Sequence, residues 1–267
     1  MSLPVSLFVP GDSWLHRLDP RVKLGFALLS TVALMLLESL PLFLLFLLLC
    51  HVVLLSARVP LSRIGWAWRL MLPVTVLIPL LWPLFSSTGG AVLVVLGPLV
   101  ITWSDIWWGL AMAARVNSLA FAFFVWLFTT DQTDMVLGFV HLGLPYDWGL
   151  TVAIALRYIP TLQAAFEQVM EAQRARGLVI PRANPVRAAR AYVPALVPTL
   201  IVALRTADDL SRALEARAFG APGRERTARR QLRFTAADGA ALLGMLAVFA
   251  VVVTARLVWQ FGRGPLL

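Results

Sequence analysis

Charge is what this sequence is short of. Only 14% of its 267 residues are Asp, Glu, Lys or Arg, against roughly 25% in a soluble domain. Hydrophobic residues make up 60%, and the mean hydropathy is +0.81. That balance excludes an ordinary water-soluble domain and marks an integral membrane protein. A single cysteine, Cys50, excludes an internal disulfide, and beside His51 it lacks the second ligand pair that a zinc site needs. His16, His51 and His141 are too scattered for an H-E-x-x-H metalloprotease helix, so they and Cys50 read as packing or interface groups. No G-x-x-x-x-G-K-[ST] loop occurs; Gly220 to Thr227, GAPGRERT, has glycines but neither the lysine nor the spacing of a phosphate cradle. A secretory leader is not expected either. Asp12, His16, Arg17 and Asp19 interrupt any early apolar core, and the first membrane segment reads as an uncleaved anchor.

What is present is a series of apolar runs. Val22–Leu37 and Leu40–Leu55, separated by Glu38 and Ser39, read as a tight helical hairpin. Each falls a little short of the roughly 20 residues that cross a bilayer, so Lys23 and Arg58 are expected to snorkel. Arg58, Arg63 and Arg69 mark a basic loop. Met71–Phe85, with Pro73, Pro79 and Pro83, reads as one kinked span, because neighbouring helices can re-satisfy a proline-interrupted backbone in a membrane. Ser86–Gly90 reads as a turn. Ala91–Trp103 is β-branched around Gly97-Pro98, the signature of a hairpin or interfacial flap. Trp103, Trp107 and Trp108 suit an aromatic belt. Ile106–Phe128 is the fourth span and Thr235–Trp259 the fifth. Residues 1–128 thus form an N-terminal membrane domain, 129–234 a region of amphipathic helices on or beside the membrane, and 235–267 the last span with the C-terminus.

The net charge of +9 would suit nucleic acid, but its distribution gives another reading. Fourteen of the 23 basic residues lie between Thr129 and Phe234, and none lies at the Glu38 turn or in Ser86–Asp105. Basic segments stay cytoplasmic, which places the N-terminus and residues 129–234 inside and the C-terminus outside. No nucleic-acid partner is needed to explain the charge.

Within that basic region two runs share a grammar. Arg157–Gly177 and Pro198–Gly220 each carry Pro-Thr-Leu near the start and end on Ala-Arg followed by a small residue. Leu162, Ala165, Phe166, Val169 and Met170 share one face of the first; Leu200, Ala203, Ala207, Leu210 and Leu214 stripe the second. Gly177 and Gly220 read as left-handed helix stops, which sets Arg176 and Arg217 in the final turns. A lone terminal arginine usually complements the helix macrodipole, worth about 0.3–1 kcal/mol. Two in one chain form a pair of forked donors suited to carboxylates on a partner.

Other polar residues have local readings. Arg115 and Asn117, inside the fourth span, suit a solute path or a structural pairing with Glu38 or a backbone carbonyl. Asp208 and Asp209 are expected to pair with Arg212, and Asp131 and Asp134 to cap a helix start.

Taken together, the chain resembles the transmembrane T component of energy-coupling factor transporters, importers of vitamins and transition-metal ions driven by paired ABC-type ATPases. The resemblance rests on LHRLDPRVKL (Leu15–Leu24), GPLVITWSDIWWGL (Gly97–Leu110), LGLPYDWGL (Leu142–Leu150), LRYIPTL (Leu156–Leu162), EAQRARG (Glu171–Gly177) and ALEARAFG (Ala213–Gly220). The last two match the paired Ala-Arg-Gly signatures, as Ala175-Arg176-Gly177 and, with alanine third, Ala216-Arg217-Ala218. It implies an all-α membrane protein of about five transmembrane helices with a cytoplasmic-side coupling domain of long crossing helices, in a prokaryotic plasma membrane. It further implies that the arginine ends dock on two ATPase subunits and that the helices hold a membrane-embedded, substrate-binding S component. On that reading the chain is a non-catalytic subunit without a cofactor, ATP being bound by its partners, and the S component selects the solute. A conventional ABC permease would carry one coupling loop and its own translocation path; a membrane-embedded enzyme would need convergent acid, base or metal residues on facing spans.

Overall fold

The computed structural model describes residues 7–85, 91–96, 99–181, 184–219, 232 and 234–258. The expected turns at Ser86–Gly90 and Gly97-Pro98, the Gly220–Thr227 stretch and the Trp259 end of the last span lie outside the described residues. The chain forms two compact units, residues 1–144 with 232–267, and residues 145–231.

The first unit is built from α1 (Trp14–Arg17), α2 (Pro20–Leu36), α3 (Leu40–Ser56), α4 (Leu61–Phe85), β1 (Val92–Leu96), β2 (Leu99–Thr102), α5 (Trp103–Thr129) and α6 (Gln132–His141). The second holds α7 (Tyr146–Ala175), α8 (Pro185–Ala191) and α9 (Val193–Ala216), after which α10 (Ala236–Val258) returns to the first. By length and composition α4, α5, α7 and α10 can cross a membrane. The fold is that of an all-helical, multi-pass membrane protein, with one antiparallel hairpin where the β-branched Ala91–Trp103 run predicts it.

Three helix starts differ from the sequence reading, and in two of them a proline expected at the boundary lies inside the helix. The expected basic loop shrinks to a turn at Ala57–Pro60, because α4 begins at Leu61 and takes Arg63 and Arg69 into its first turns. In α7 and α9 the Pro-Thr-Leu segments do not open the helices; Pro160 and Pro198 lie inside helices that begin at Tyr146 and Val193. The extra N-terminal length makes α7 long and apolar enough for a span, where an amphipathic helix from Arg157 was expected. Proline is a weak stop in such helices because one missing N–H is a local loss while the apolar burial of the helix is kept.

The core lies where α5 packs against α3 and α4. Phe121, Phe128 and Leu54 are fully buried there, beside Cys50 and Ala67. Polar groups in this core are consumed internally. The His51 Nδ1 donates to Leu47 O at 2.7 Å and its Nε2 accepts from Trp68 Nε1 at 2.9 Å, with the ring 4.6 Å from that of Phe121. Asn117 Nδ2 donates to Ala113 O at 2.7 Å and to Thr75 Oγ1 at 2.9 Å, joining α5 to α4.

Gly109 sets how closely α4 and α5 approach. A Cβ there would stand 2.9 Å from Pro79 Cα and 3.0 Å from Trp82 Cβ, and backbone cannot step aside as a flexible side chain can. Small residues let membrane helices meet in this way. Gly109→Leu is therefore expected to destabilise the protein by about 1–3 kcal/mol through overpacking. Thermal unfolding in detergent reads this out; an unchanged midpoint would place the α4–α5 contact elsewhere.

Candidate functional site: two arginine-bearing helix ends

The ends of α7 and α9 have one backbone. Arg176 caps α7 at φ −86°, ψ 8°, and Arg217 caps α9 at φ −92°, ψ 10°. The next residue is left-handed in both: Gly177 at φ +92° and Ala218 at φ +55°. Gly177 N donates to Arg174 O and Leu178 N to Gln173 O, both at 3.0 Å. At the other end Ala218 N donates to Glu215 O at 2.8 Å and Phe219 N to Leu214 O at 3.0 Å. This paired 5→2 and 6→1 pattern is the Schellman terminus. Gly177 ends its helix as expected. Gly220 does not: α9 has already stopped, and Ala218 occupies the position that glycine takes at the end of α7. The two motifs, Ala175-Arg176-Gly177 and Ala216-Arg217-Ala218, are thus equivalent in structure despite the third residue.

Both guanidinium groups are exposed, and among the described residues neither has a hydrogen-bond or ion-pair partner. The helices meet where α9 begins. Phe166 stacks on Tyr192 with centroids 6.5 Å apart, and Gln173 Nε2 donates to Pro194 O at 3.3 Å. Arg176 therefore lies near the start of α9, and Arg217 lies about 35 Å further along its axis, at the rise of an α-helix. The structure does not bring the two arginines into one site. It separates them as two forks, each able to bind a carboxylate pair bidentately on a different receptor. Asp208 and Asp209 are exposed on α9, and among the described residues no ion pair joins either to Arg212, contrary to expectation.

The polar groups of the first unit act within it. Arg115 Nε donates to Leu34 O at 2.9 Å and Nη2 to Met35 O at 2.6 Å, while the guanidinium sits 5.7 Å from the centre of the Phe43 ring. Of the pairings open to Arg115, the backbone carbonyls of the α2 end are taken. Glu38 pairs instead with Arg256 of α10, at 3.0 Å. Lys23 does not snorkel; it is 3% exposed and donates to Thr129 O at 2.8 Å and His16 O at 3.2 Å. Asp131 stands at the N-cap position of α6 without a side-chain cap bond, and Asp134 lies in its first turn.

Sequence reasoning missed a buried carboxylate, Asp238. Its Oδ1 accepts from Asp19 N at 2.7 Å, and its Oδ2 accepts from Thr235 N at 2.8 Å and Thr235 Oγ1 at 2.6 Å. The same Thr-x-x-Asp reciprocity opens α5, where Thr102 Oγ1 donates to Asp105 Oδ2 at 2.6 Å and accepts from Asp105 N at 3.3 Å. The repeated spacing is a legible capping-box signal. These groups join α10 to α2 and start α5.

The left-handed alanine has a measurable cost. A Cβ in that conformation costs about 1–2 kcal/mol, part of which glycine gives back through its freedom in the unfolded chain. Ala218→Gly is expected to stabilise the α9 terminus by about 1 kcal/mol and Gly177→Ala to weaken the α7 terminus by a similar amount. Amide hydrogen exchange over the last turns of both helices measures this. Faster exchange in Ala218→Gly would contradict the assigned backbone.

Comparison with known proteins agrees with this architecture. Residues 11–228 match the family model described as CbiQ, cobalt transport protein. A curated protein of Thermosediminibacter oceani, named energy-coupling factor transporter transmembrane protein EcfT, is 32% identical over 96% of this chain and 99% of its own length. Proteins of the same name from Heliobacterium modesticaldum and Listeria innocua are 34% and 33% identical, over 92% and 89% of this chain and 94% and 92% of theirs. With the match covering most of the sequence and the helical membrane fold in hand, this chain belongs to the CbiQ family of transport proteins.

Proposed function

We propose that this chain is the transmembrane component of an energy-coupling factor transporter, a non-catalytic subunit that carries ATP-driven motion from two ABC-type ATPases to a substrate-binding S component. The observation that carries the reading is the pair of exposed arginine ends, without partners among the described residues, that share one backbone geometry and are set about 35 Å apart by the length of α9. Two separated forks match two receptors. Ala175, Arg176 and Gly177 form one docking end, Ala216, Arg217 and Ala218 the other. ATP and its hydrolysis belong to the partner subunits. The S component chooses the cargo, a vitamin or transition-metal ion, so neither arginine touches solute.

A rigid helix transmits displacement from such an end because its hydrogen-bond ladder does not stretch appreciably. The Schellman closure extends that ladder to the tip, so the backbone that carries each arginine moves with the helix. The excess of basic residues in 129–234 supports a cytoplasmic position for both ends, with the N-terminus on the same side of a prokaryotic plasma membrane.

Charge reversal tests the reading. Arg176→Glu or Arg217→Glu is expected to cost about 2–5 kcal/mol in ATPase association, the penalty for an acidic groove left unpaired. The double variant should insert normally into the membrane, lose both ATPases on affinity purification and lose uptake. Lysine at either position should give an intermediate loss, since it keeps the charge but not the fork. Full ATPase recovery with the double reversal would refute the coupling role.

A further inference from the structure

Around the α7–α9 connection lies a stretch with no acidic residue at all. From Ala172 to Ala207 the chain carries six arginines and neither Asp nor Glu. Arg182 is outside the described residues; Arg174, Arg176, Arg187 and Arg190 are exposed, and among the described residues none of these four has an ion-pair partner. A surface helix in water normally mixes signs, so an unbalanced stretch of this length calls for negative charge from outside the chain.

The apolar residues interleaved with these arginines decide what supplies it. At the helical spacing of 100° per residue, Val186, Arg187 and Arg190 fall on one arc of α8. Val186 is 60% exposed, whereas Ala188 on the opposite arc is half-buried. Tyr192 follows at the junction with α9. The first three turns of α9, Val193 to Leu204, then carry apolar side chains on every side, with Leu196, Leu200 and Leu204 all more than half exposed. The one hydroxyl among them, that of Thr199, is spent on Ala195 O at 2.7 Å. Twelve residues of helix reach about 18 Å, too short to cross about 30 Å of hydrocarbon. The segment therefore enters an apolar layer without traversing it. The residues just before it, α8 and Tyr192, sit at the depth where hydrocarbon gives way to headgroups, the level that suits a tyrosine and arginines together.

We propose that α8 and its flanking turns form an anionic-lipid contact, in which Arg187 and Arg190 bind phospholipid phosphates while Val186 and the start of α9 enter the acyl region. The inference rests on the membrane-coupling reading above, but it assigns these arginines to the leaflet and not to the ATPases. It also makes the α7–α9 connection a fixed point at the membrane surface, about which both arginine ends move.

Hydrogen exchange of the full chain in nanodiscs tests it. Amides of 184–193 are expected to exchange roughly ten-fold more slowly when a third of the phosphatidylcholine is replaced by phosphatidylglycerol, two arginines at an anionic surface accounting for that order of effect. Arg187→Gln with Arg190→Gln should remove the phosphatidylglycerol effect while exchange in α5 stays unchanged; the paired lysine variants should keep it. Equal exchange in both lipids would overturn the proposal. So would protection that ignores lipid charge and appears only when ATPases bind, which would make α8 a protein-docking surface. Arg217→Glu separates the two readings. ATPase retention with an intact lipid effect sinks only the coupling role, and ATPase loss with no lipid effect in the unmutated chain sinks only the lipid contact.

Discussion

A helix end has carbonyls and amides that the helix itself cannot satisfy, and in hydrocarbon there is no water to satisfy them. That constraint organises the sparse polar residues of this protein. Arg115 closes the C-terminal carbonyls of α2. Lys23 closes the carbonyl of Thr129 at the end of α5. Thr102 with Asp105, and Thr235 with Asp238, close the first turns of α5 and α10. Where no side chain is available the backbone closes itself: Arg58, Gly143, Gly177 and Ala218 all take a left-handed conformation just past a helix. A chain with only 14% charged residues places several of them at helix termini, because an unpaired polar group there costs more than a charged side chain exposed to water returns.

The constraint also explains what was legible beforehand. The apolar runs, the hairpin before α5 and the last span follow from composition, since burial in lipid needs only hydrophobic length. The helix starts were less legible. Proline reads as a boundary in water, where an orphaned carbonyl is easily solvated and a helix gains little by continuing; α7 and α9 continue through it, while α4 starts early because it takes in the arginine segment that reads as a loop. Partner choice for Arg115 was not legible, because Glu38 and the carbonyls of Leu34 and Met35 are neighbours in sequence and only packing shows which one the guanidinium reaches. Glu38 is left for Arg256, 218 residues away, a pairing that no local pattern encodes.

The two arginine motifs were legible as a repeat and became more informative in three dimensions. Their Arg176 and Arg217 caps agree to within a few degrees, so the signature is a device for ending a helix with an arginine backbone at the close of its hydrogen-bond ladder and the side chain exposed. Periodicity alone did not show the distance between them. That distance follows from a single crossing point, Gln173 against Pro194 and Phe166 against Tyr192, which sets the start of one helix beside the end of the other.

The third position of each motif shows how the same geometry is reached by two routes. At the α7 end, glycine enters the left-handed region without steric cost, and the flanking positions carry Gln173 and Leu178, which offer no apolar pair. At the α9 end, alanine meets the Cβ penalty of that region, but Leu214 and Phe219 occupy the two positions whose side chains meet across a Schellman terminus. An apolar contact between side chains at those two positions would be worth a fraction of a kcal/mol to about one, comparable with the strain of the left-handed alanine. What matters to the terminus is therefore the sum of backbone strain and local packing, and Ala-Arg-Ala followed by phenylalanine is a physical equivalent of Ala-Arg-Gly. Reading Gly220 as the helix stop, as the sequence suggests, places the helix end two residues too late.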